Sequence, residues 1–201
     1  MIVKWIRCHV VDADAFDRAQ RGWSGLVRVP GFLGQLGGWS RREPDVAHVF
    51  GLWRKPRDHD AFLAGAHDQV AAGQTGTYDT IHVRLFERLL NIGDEFGATG
   101  SFVRLAHCHV RDGRREHFGH AQNTVWNPGM STTQGMLGGV FARRGEDKFL
   151  VLSSWASEAD HERYLSGRFP ELRRRAGAAE DLASITGDLI QLVPEWIVTP
   201  L

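Results

Sequence analysis

The sequence predicts an α+β protein made of two copies of a βαββαβ unit, the ferredoxin-like pattern. The first observation behind this prediction is an internal repeat, because Arg7-Cys8-His9-Val10 returns as His107-Cys108-His109-Val110, one hundred residues later. The second observation is that strand-like and helix-like hydrophobic patterns follow each other in the same order in both halves. A repeat of this period is too long for a solenoid, so it indicates a small domain that has been duplicated.

The repeat continues along both halves with an offset that stays between 100 and 102 residues. The aligned pairs are Phe16-x-x-Ala19-Gln20 with Phe118-x-x-Ala121-Gln122, Gly34-x-Leu36-Gly37-Gly38 with Gly135-x-Leu137-Gly138-Gly139, Trp53 with Trp155, and Asp58-His59 with Asp160-His161. Residues 93–100 are rich in glycine, which is typical of a linker. We therefore expect a first domain at residues 1–92 and a second domain at residues 101–201, joined by the linker 93–100.

In the first half, each predicted element follows from hydrophobic period and turn residues. The predicted order is a strand at 2–10, a helix at 14–27 capped by Asp12 or Asp14, a turn at Pro30-Gly31, strands at 32–39 and 47–53, a helix from Asp58 to about Ala72, and a strand from Thr80 to Glu87. The second half repeats this order, with strands near 102–110, 133–142, 147–155 and 186–198. Its second helical region is predicted at 158–183, with an interruption near Pro170.

Helices on one face of an antiparallel sheet leave the other face bare. Two such units normally bury their bare faces against each other, and here both units lie on one chain. The sequence therefore predicts an intramolecular pseudo-dimer of two fused ferredoxin-like domains. A monomer of this kind, or a homodimer of it, is the expected assembly.

Composition argues against several classes of function. The chain has 24 basic and 24 acidic residues among 201, so its net charge is zero, which argues against a nucleic-acid partner. There is no apolar run long enough to span a membrane, and the N-terminal residues do not resemble a secretory signal. We therefore expect a cytoplasmic protein whose partner is a small molecule, with neither nucleic acid nor membrane involved.

Alternation along the first strand divides its side chains between two faces. Val3, Trp5, Arg7 and His9 share one face, while Ile6, Cys8 and Val10 share the other. Alternation alone does not decide which face meets the helices. Cys8 and Cys108 lie in the middle of strands and no Cys-x-x-Cys is present, so we expect two buried, unbonded thiols and no metal site.

Several local patterns resemble a known group of proteins. These are Pro30-Gly31-Phe32 at the start of a glycine-rich strand, Trp53 at the end of the third strand, and Ala61-Phe62-Leu63 near the start of a helix. The first 90 residues resemble the dimeric α+β barrel superfamily, and the second half resembles it through the repeat. That superfamily includes antibiotic-biosynthesis monooxygenases, haem-degrading monooxygenases and two-repeat chlorite-dismutase-like proteins. The resemblance implies a fused α+β barrel with ligand pockets between each sheet and its helices.

The resemblance implies a small-molecule tailoring enzyme of secondary metabolism, namely a cofactor-independent monooxygenase or a cyclase that acts on an aromatic or polyketide-like substrate. In this hypothesis a histidine removes a substrate proton, with His9, His59 and His67 as candidates, and Arg7 holds the resulting oxyanion. The candidate substrate-binding residues are Trp53, Trp23, Gln20, Trp5, Trp155 and His109. The first half is the favoured location, and neither a cofactor nor a metal is required.

Two other classes of function stay open. The alternative cofactor is haem, in a protein of the chlorite-dismutase-like or haem-degrading type, although the first strand lacks the asparagine of the haem degraders. The third class is a non-catalytic ligand-binding or stress protein. Structural roles also compete with functional ones: Trp53 and Trp155 can be core residues, and His117 and His120 are expected to be solvated residues of a helix surface.

Overall fold

The computed structural model describes residues 1–94, 96–97 and 100–200, and it confirms an α+β fold. The chain forms two compact units, the first made of Met1–Leu85 with Ile190–Leu201 and the second of Phe86–Leu189. Two long strands, Tyr78–Ile92 and Leu182–Leu192, each contribute residues to both units. Within the expected linker 93–100, positions 95, 98 and 99 lie outside the described residues.

The first unit contains one βαββαβ series. Its elements are β1 (Ile2–Val10), α1 (Ala13–Arg21), a 3₁₀ turn (Gly22–Arg28), β2 (Phe32–Ser40), β3 (Val46–Trp53), α2 (Pro56–Ala64), α3 (His67–Ala71), a short 3₁₀ turn (Ala72–Gln74) and the start of β4 (Tyr78–Ile92). The C-terminal 3₁₀ turn at Pro194–Trp196 also belongs to this unit. Asp12 caps α1 by accepting a hydrogen bond of 2.9 Å from the backbone N–H of Ala15, as the sequence predicts.

The second unit contains the same series. Its elements are β5 (Phe102–Val110), α4 (Arg115–Ala121), a π turn (Gln122–Trp126), α5 (Asn127–Ser131), β6 (Met136–Arg144), β7 (Lys148–Trp155), α6 (Glu158–Ser166), α7 (Arg168–Arg175), α8 (Ala178–Asp181) and β8 (Leu182–Leu192). Strand order in the first unit is β4-β1-β3-β2, and in the second it is β8-β5-β7-β6. The end of β8 pairs with β2, and the end of β4 pairs with β6, in each case within one unit.

The register of β1 against β3 decides which face of the first sheet meets the helices. Lys4 pairs with Gly51, Ile6 with Val49 and Cys8 with Ala47, and paired residues point to the same side. Cys8, Ala47 and Val49 share a buried cluster with Phe16 of α1. The face that carries Lys4, Ile6 and Cys8 therefore meets the helices, whereas Trp5, Arg7 and His9 lie on the opposite face.

Strand pairing also corrects the repeat alignment in the glycine-rich strands. Phe32 pairs with Trp53 and Met136 with Trp155, and each strand has a bulge immediately afterwards. The counterpart of Gly34 is therefore Gly138, and the alignment of Gly34 with Gly135 was wrong. Glycine-rich strands look alike at several offsets, so local similarity alone did not fix this one.

The structural counterpart of Gly31 is Gly135, and both residues need a conformation that favours glycine. Their φ angles are +81° and +82°. A side chain on Gly31 would collide with Asp58, and one on Gly135 would collide with Asp160. The turn before the second strand of each unit therefore packs directly on the helix that follows the third strand.

Several helix boundaries differ from the predictions, and glycine and proline explain them. The long helix expected at 158–183 is three helices, separated at Gly167 and Gly177, while Pro170 is accommodated in the first turn of α7. The helix expected at 14–27 becomes a 3₁₀ turn from Gly22 onward. The last strand ends at Leu192 rather than residue 198 because Pro194 begins a 3₁₀ turn.

Two other predictions about side chains need correction. Asp58 does not cap α2, because Pro56 begins that helix and Lys55 is the capping position. His117 is not merely solvated, because its Nδ1 lies 2.8 Å from a carboxylate oxygen of Asp181, whose side chain is only 1% exposed. Arg114 donates a hydrogen bond of 2.8 Å to the same carboxylate, so these side chains tie α4 to the end of α8.

The cores of the two units are rich in aromatic residues. Trp53 and Trp155 are 2% and 0% exposed, respectively. Cys8 and Cys108 are buried and unbonded, which confirms the expectation for both thiols, and burial raises the pKa of each to about 12. Among the described residues, no helix combines the length and the apolar character needed to cross a membrane.

Candidate functional site

The second unit contains a cavity of about 460 Å³ between its sheet and its helices. Small-molecule sites commonly have volumes of about 300–1,000 Å³ and mostly apolar walls. The walls here come from β5, β7, β8 and the helical segments, and the residues that form them include Arg104, Ala106, Cys108, Phe118, Gln122, Trp126, Met130, Val151, Tyr164, Phe169, Arg173, Ala178 and Leu182. The cavity is therefore large enough for an aromatic molecule of several rings.

Arg104 places a positive charge in this cavity. Its guanidinium carbon lies 5.4 Å from the centre of the Phe169 ring, an arrangement suited to a cation–π interaction. The described residues that line the cavity include Arg104 and Arg173 but no aspartate or glutamate. The cavity therefore presents a cation beside aromatic surface without a lining carboxylate to neutralise it, which favours an anionic ligand.

Tyr164 supplies a second polar group. The residue is 1% exposed, and its hydroxyl has no hydrogen-bond partner among the described residues. Burial raises the pKa of Tyr164 to about 12, so the phenol stays neutral and can donate a hydrogen bond. A buried polar group without a partner is costly, and an acceptor on a bound ligand would relieve that cost.

The amide of Gln122 is held in place at the wall of the same cavity. Its Nε2 donates a hydrogen bond of 2.8 Å to Oδ1 of Asn127, and the Asn127 side chain in turn donates to the backbone carbonyl of Asn91. This chain of hydrogen bonds fixes the orientation of an amide within an otherwise apolar helix face.

His161 lies next to this site but is not among the residues that line it. Its ring centre is 5.4 Å from that of Trp155, and its Nε2 is buried without a partner among the described residues. Burial and, to a smaller extent, the positive charge of Arg104 together lower the pKa of His161 to about 4. The imidazole is therefore neutral at physiological pH.

The first unit has a smaller cavity at the equivalent place. Its volume is about 90 Å³, and Lys4, Gln20, Trp23 and His67 are among its lining residues. Larger side chains at equivalent positions account for the difference in volume: Ile6 stands where the second unit has Ala106, Gln74 where it has Ala178, and Tyr78 where it has Leu182. The last two equivalences follow from matching backbone hydrogen bonds, because the N–H of Val11 donates to the carbonyl of Thr77 as the N–H of Arg111 donates to that of Asp181.

Three residues predicted for the site, Gln20, Trp23 and His67, come together at this smaller cavity. Trp53 is not among its lining residues, because it is packed between Phe62 and Phe32, with ring-centre distances of 5.1 and 5.3 Å. His59 contacts the edge of Trp53 with ring centres 5.4 Å apart.

His59 is buried, and neither of its ring nitrogens has a hydrogen-bond partner among the described residues. Its Nδ1 lies 3.7 Å from the Asp60 carboxylate, which is longer than a hydrogen bond. Burial lowers the pKa of His59, and the positive charge of Lys4 lowers it further. His59 is thus a neutral imidazole in the aromatic core around Trp53.

The remaining first-half residues lie on the other face of β1 and do not join Trp53. His9 has its Nδ1 2.9 Å from the Asp79 carboxylate, and Arg7 forms an ion pair of 2.7 Å with Glu43. Trp5 donates an indole hydrogen bond of 2.9 Å to Nδ1 of His48. Because alternate residues point to opposite faces, the proposed base His9 and the proposed oxyanion holder Arg7 are separated by the sheet from Trp53.

The two second-half residues named from the sequence also differ in setting. Trp155 is fully buried and donates an indole hydrogen bond of 3.0 Å to Ser153. His109 is partly exposed, with its Nε2 2.8 Å from the Asp147 carboxylate. Among the described residues, no cluster of three or more histidine, cysteine or acidic side chains is arranged to hold a metal ion.

Sequence reasoning missed Lys4, Arg104 and Tyr164. A signal for the first two was present, because each is a cation on a strand face that is otherwise apolar. Lys4 shares its face with Ile2, Ile6 and Cys8. Arg104 holds the same place in β5, since it pairs with Ser153 as Lys4 pairs with Gly51. The sequence therefore showed that both halves carry a cation at the same position of an otherwise apolar strand face.

Comparison with solved structures identifies the fold class. A proposed monooxygenase from Fusobacterium nucleatum superposes with a TM-score of 0.82 and 10% identity, over 98% of this chain and 94% of that chain. A proposed monooxygenase from Lactobacillus acidophilus superposes with a TM-score of 0.77 and 15% identity, over 98% of this chain and 95% of that one. At these identities the likeness establishes a shared fold.

Other structures of this fold carry different functional names. An anthrone oxidase-like protein matches with a TM-score of 0.69 and 14% identity, over 96% of this chain and 91% of that chain. A haem-degrading enzyme from Listeria monocytogenes matches with a TM-score of 0.53 and 13% identity, over 95% of this chain and 99% of that chain.

Sequence comparison finds similarity in the first half of the chain. Residues 2–86 match DUF4937, a domain of unknown function. The uncharacterized protein YdbC of Bacillus subtilis is 34% identical over 74 residues, a stretch that covers 35% of this chain. The matched stretch spans 62% of the length of that relative.

Proposed function

We propose that the chain is a small-molecule tailoring enzyme, a cofactor-independent monooxygenase that acts on an aromatic substrate in the cavity of the second unit. One observation carries the proposal: Arg104 stands in a cavity of about 460 Å³ whose described lining is mostly apolar and aromatic and contains no carboxylate. A flat molecule with an ionisable phenol or enol fits these walls. Its anion is stabilised by Arg104 and accepts a hydrogen bond from Tyr164.

Arginine acts here by favouring the charged form of the substrate. A cation within a few ångströms lowers the pKa of an acidic group, and the effect is larger where apolar walls exclude water. The substrate anion is electron-rich and reacts with dioxygen at carbon. For a CH₂ carbon next to an aromatic ring, the balanced reaction is R₂CH₂ + O₂ → R₂C=O + H₂O.

In that reaction the substrate loses a proton to solvent and becomes a carbanion. Electron transfer to dioxygen and recombination form a carbon-bound peroxide, which takes up a proton from solvent. Loss of water from this hydroperoxide leaves the carbonyl. One oxygen atom enters the product and the other leaves as water with the two hydrogens. The substrate supplies all four electrons, so the reaction requires no separate reductant. A cyclase that uses the same anion without oxygen is the other form of this proposal.

The proposal replaces the histidine base expected from the sequence. Its catalytic group is Arg104, because the described residues that line the cavity include no histidine. The rate should therefore rise with pH as each substrate ionises. The pH at which the rate is half-maximal should be lower for more acidic phenols. A common midpoint near the usual pKa of histidine, about 6.5, for all substrates would show an imidazole base instead.

Haem is the alternative cofactor, and the name of the Listeria neighbour is the reason to consider it. The side chains in the second cavity do not fit this group well. Among the described residues of the lining there is no histidine. Burial raises the pKa of both Cys108 and Tyr164 to about 12, which disfavours the anionic forms that ligate iron.

We also propose that the chain arose by duplication of one ferredoxin-like domain and that the two copies form a pseudo-dimer of the α+β barrel type. Equivalent strand registers, the paired glycines Gly31 and Gly135, and the matched tryptophans Trp53 and Trp155 support it. We propose that the two copies have diverged in function, with the larger cavity retained for the substrate.

The test measures oxygen consumption with a panel of phenols and polycyclic phenols, for the wild-type protein and three variants. Arg104→Met should lower kcat/KM by about 100-fold, the loss typical of one oxyanion-stabilising group. Arg144→Met is the matched control, because Arg144 is an exposed arginine of the same unit. Loss of turnover in Arg7→Met with normal turnover in Arg104→Met would contradict the proposal and return the site to the first unit.

Two other results would also contradict it. Saturable binding of phenols without oxygen uptake or product would indicate a non-catalytic binder. A purified protein with the visible absorption of haem, and turnover that depends on it, would establish the haem alternative.

A further inference from the structure

The small cavity of the first unit has an unusual set of polar groups. Lys4, Gln20 and Trp23 all line it, and all three are buried, with 6%, 3% and 7% exposure. Nε1 of Trp23 and Nε2 of Gln20 have no hydrogen-bond partner among the described residues. Natural proteins rarely leave several buried donors unpaired in one place, so these groups point to a missing partner.

The chemistry of these groups defines that partner. An indole N–H and a lysine ammonium can only donate hydrogen bonds. The Oε1 atom of Gln20 already accepts a hydrogen bond of 2.8 Å from Gln74, which leaves its Nε2 as the available group. The described lining contains no aspartate or glutamate. The ligand is therefore an acceptor with negative charge.

The volume limits its size. The cavity measures about 90 Å³, and one water molecule occupies about 30 Å³ in the liquid. A ligand of about three or four heavy atoms fits this space, whereas a benzene ring with a carboxylate does not. The site is thus separate in both size and ligand from the aromatic cavity of the second unit.

We propose that the first unit binds a small monovalent anion, such as formate, acetate or nitrate, through the Lys4 ammonium and the N–H groups of Trp23 and Gln20. This inference does not depend on the oxygenase proposal, because it concerns a different cavity and different residues. The divergence of the repeat would then have produced one aromatic site and one anion site.

The anion site should respond to pH. Burial lowers the pKa of Lys4 to about 8, so its ammonium loses the proton above that pH and anion affinity falls. The other titratable groups of this cavity are Cys8 on β1, His67 on α3 and Tyr78 on β4, and the charge of Lys4 also acts on His59 of α2. A bound anion opposes the effect of burial and should raise the pKa of Lys4.

The experiment follows the indole N–H signals of protein labelled with ¹⁵N at tryptophan, during titration with sodium formate, acetate, nitrate or benzoate at constant ionic strength and pH 7. The Trp23 signal is assigned by its loss in Trp23→Phe, a change that keeps an aromatic ring beside Phe62 and His67. We expect a saturable shift of that signal with the three small anions and none with benzoate.

Lys4→Met should raise the dissociation constant by about tenfold or more, since a hydrogen bond to a charged group is lost. Lys55→Met is the matched control, because Lys55 is exposed. An unchanged Trp23 signal with every anion, or an equal response in Lys4→Met, would overturn the proposal. If Lys4→Met does not fold, the wild-type protein is titrated with the same anions at pH 7 and pH 9.5. Binding should be weaker at pH 9.5, and equal binding at the two pH values would overturn the proposal.

Discussion

Lys4 and Arg104 occupy the same position on equivalent strands, each pointing to the helix side of its own sheet. Lys4 faces a cavity of about 90 Å³ and Arg104 faces one of about 460 Å³. The charge has thus been kept at this position while the surrounding volume differs. We assign different ligands to the two units because both keep a cation at this position while their cavities differ in volume.

The first prediction concerns the two thiols. Burial raises the pKa of Cys8 and Cys108 to about 12, so neither forms appreciable thiolate at pH 8 in the folded protein. A thiol-reactive chromogenic disulfide should label the native protein very slowly and should find two thiols after denaturation without reductant. Fast labelling of the native protein, or fewer than two thiols after denaturation, would contradict the structure.

The second prediction is a pH dependence of stability that arises from His161. Its folded-state pKa is about 4, against 6.5 for an ordinary histidine, so between these pH values the unfolded chain binds more protons. Its contribution, about 3 kcal/mol, is therefore complete above pH 6.5 and is lost as pH falls toward 4. Urea unfolding should show that His161→Gln loses less stability over this range than wild type does. His120→Gln, an exposed control, should behave like wild type.

The third prediction concerns the turn glycines. Gly31→Ala and Gly135→Ala should each destabilise the protein by about 1–2 kcal/mol from the left-handed backbone alone, with more from the collision with Asp58 or Asp160. Gly119→Ala is the control, because a side chain there would have no described atom within 4 Å and alanine favours a helix. Melting temperatures should fall for the first two variants and stay level or rise for the third. Equal effects at all three positions would argue against the left-handed turns.

The fourth prediction concerns Asp181. Its buried carboxylate accepts hydrogen bonds from Arg114 and His117, so Asp181→Ala should cost about 2–4 kcal/mol in the free energy of unfolding. Glu180→Ala should change stability by less than about 1 kcal/mol, because Glu180 is 80% exposed and lies 3.5 Å from the same arginine. Chemical denaturation measures both. A similar small effect for the two variants would mean that the Asp181 carboxylate is not held by these partners.

The strands and the repeat could be predicted from the sequence, because hydrophobic period and the matched Cys8 and Cys108 patterns are local signals. The strands at 2–10 and 102–110 have the predicted bounds. The helix side of each sheet could not be predicted, since alternation is symmetric between faces. Helix ends near Gly22, Gly167 and Gly177 were missed because the hydrophobic pattern continued across the breaks.

The candidate site was harder to predict than the fold. Cavity volume depends on residues far apart in the chain, such as Ala106, Ala178 and Leu182, whose small size matters only where they meet. Trp53 and Trp155 drew attention because they are large and repeated, but their contacts are those of core residues. Lys4 and Arg104 are recognisable from the sequence as cations on otherwise apolar strand faces.

The most direct test of the central claim fills the second cavity with the side chains that the first unit carries. The double variant Ala106→Ile with Ala178→Gln keeps Arg104 and Tyr164 but reduces the volume of the cavity that they line. Oxygen consumption and phenol binding should both fall by about tenfold or more, with the melting temperature nearly unchanged, because reduced volume excludes the substrate. Unchanged binding and turnover in a folded double variant would contradict the assignment of the aromatic substrate to this cavity.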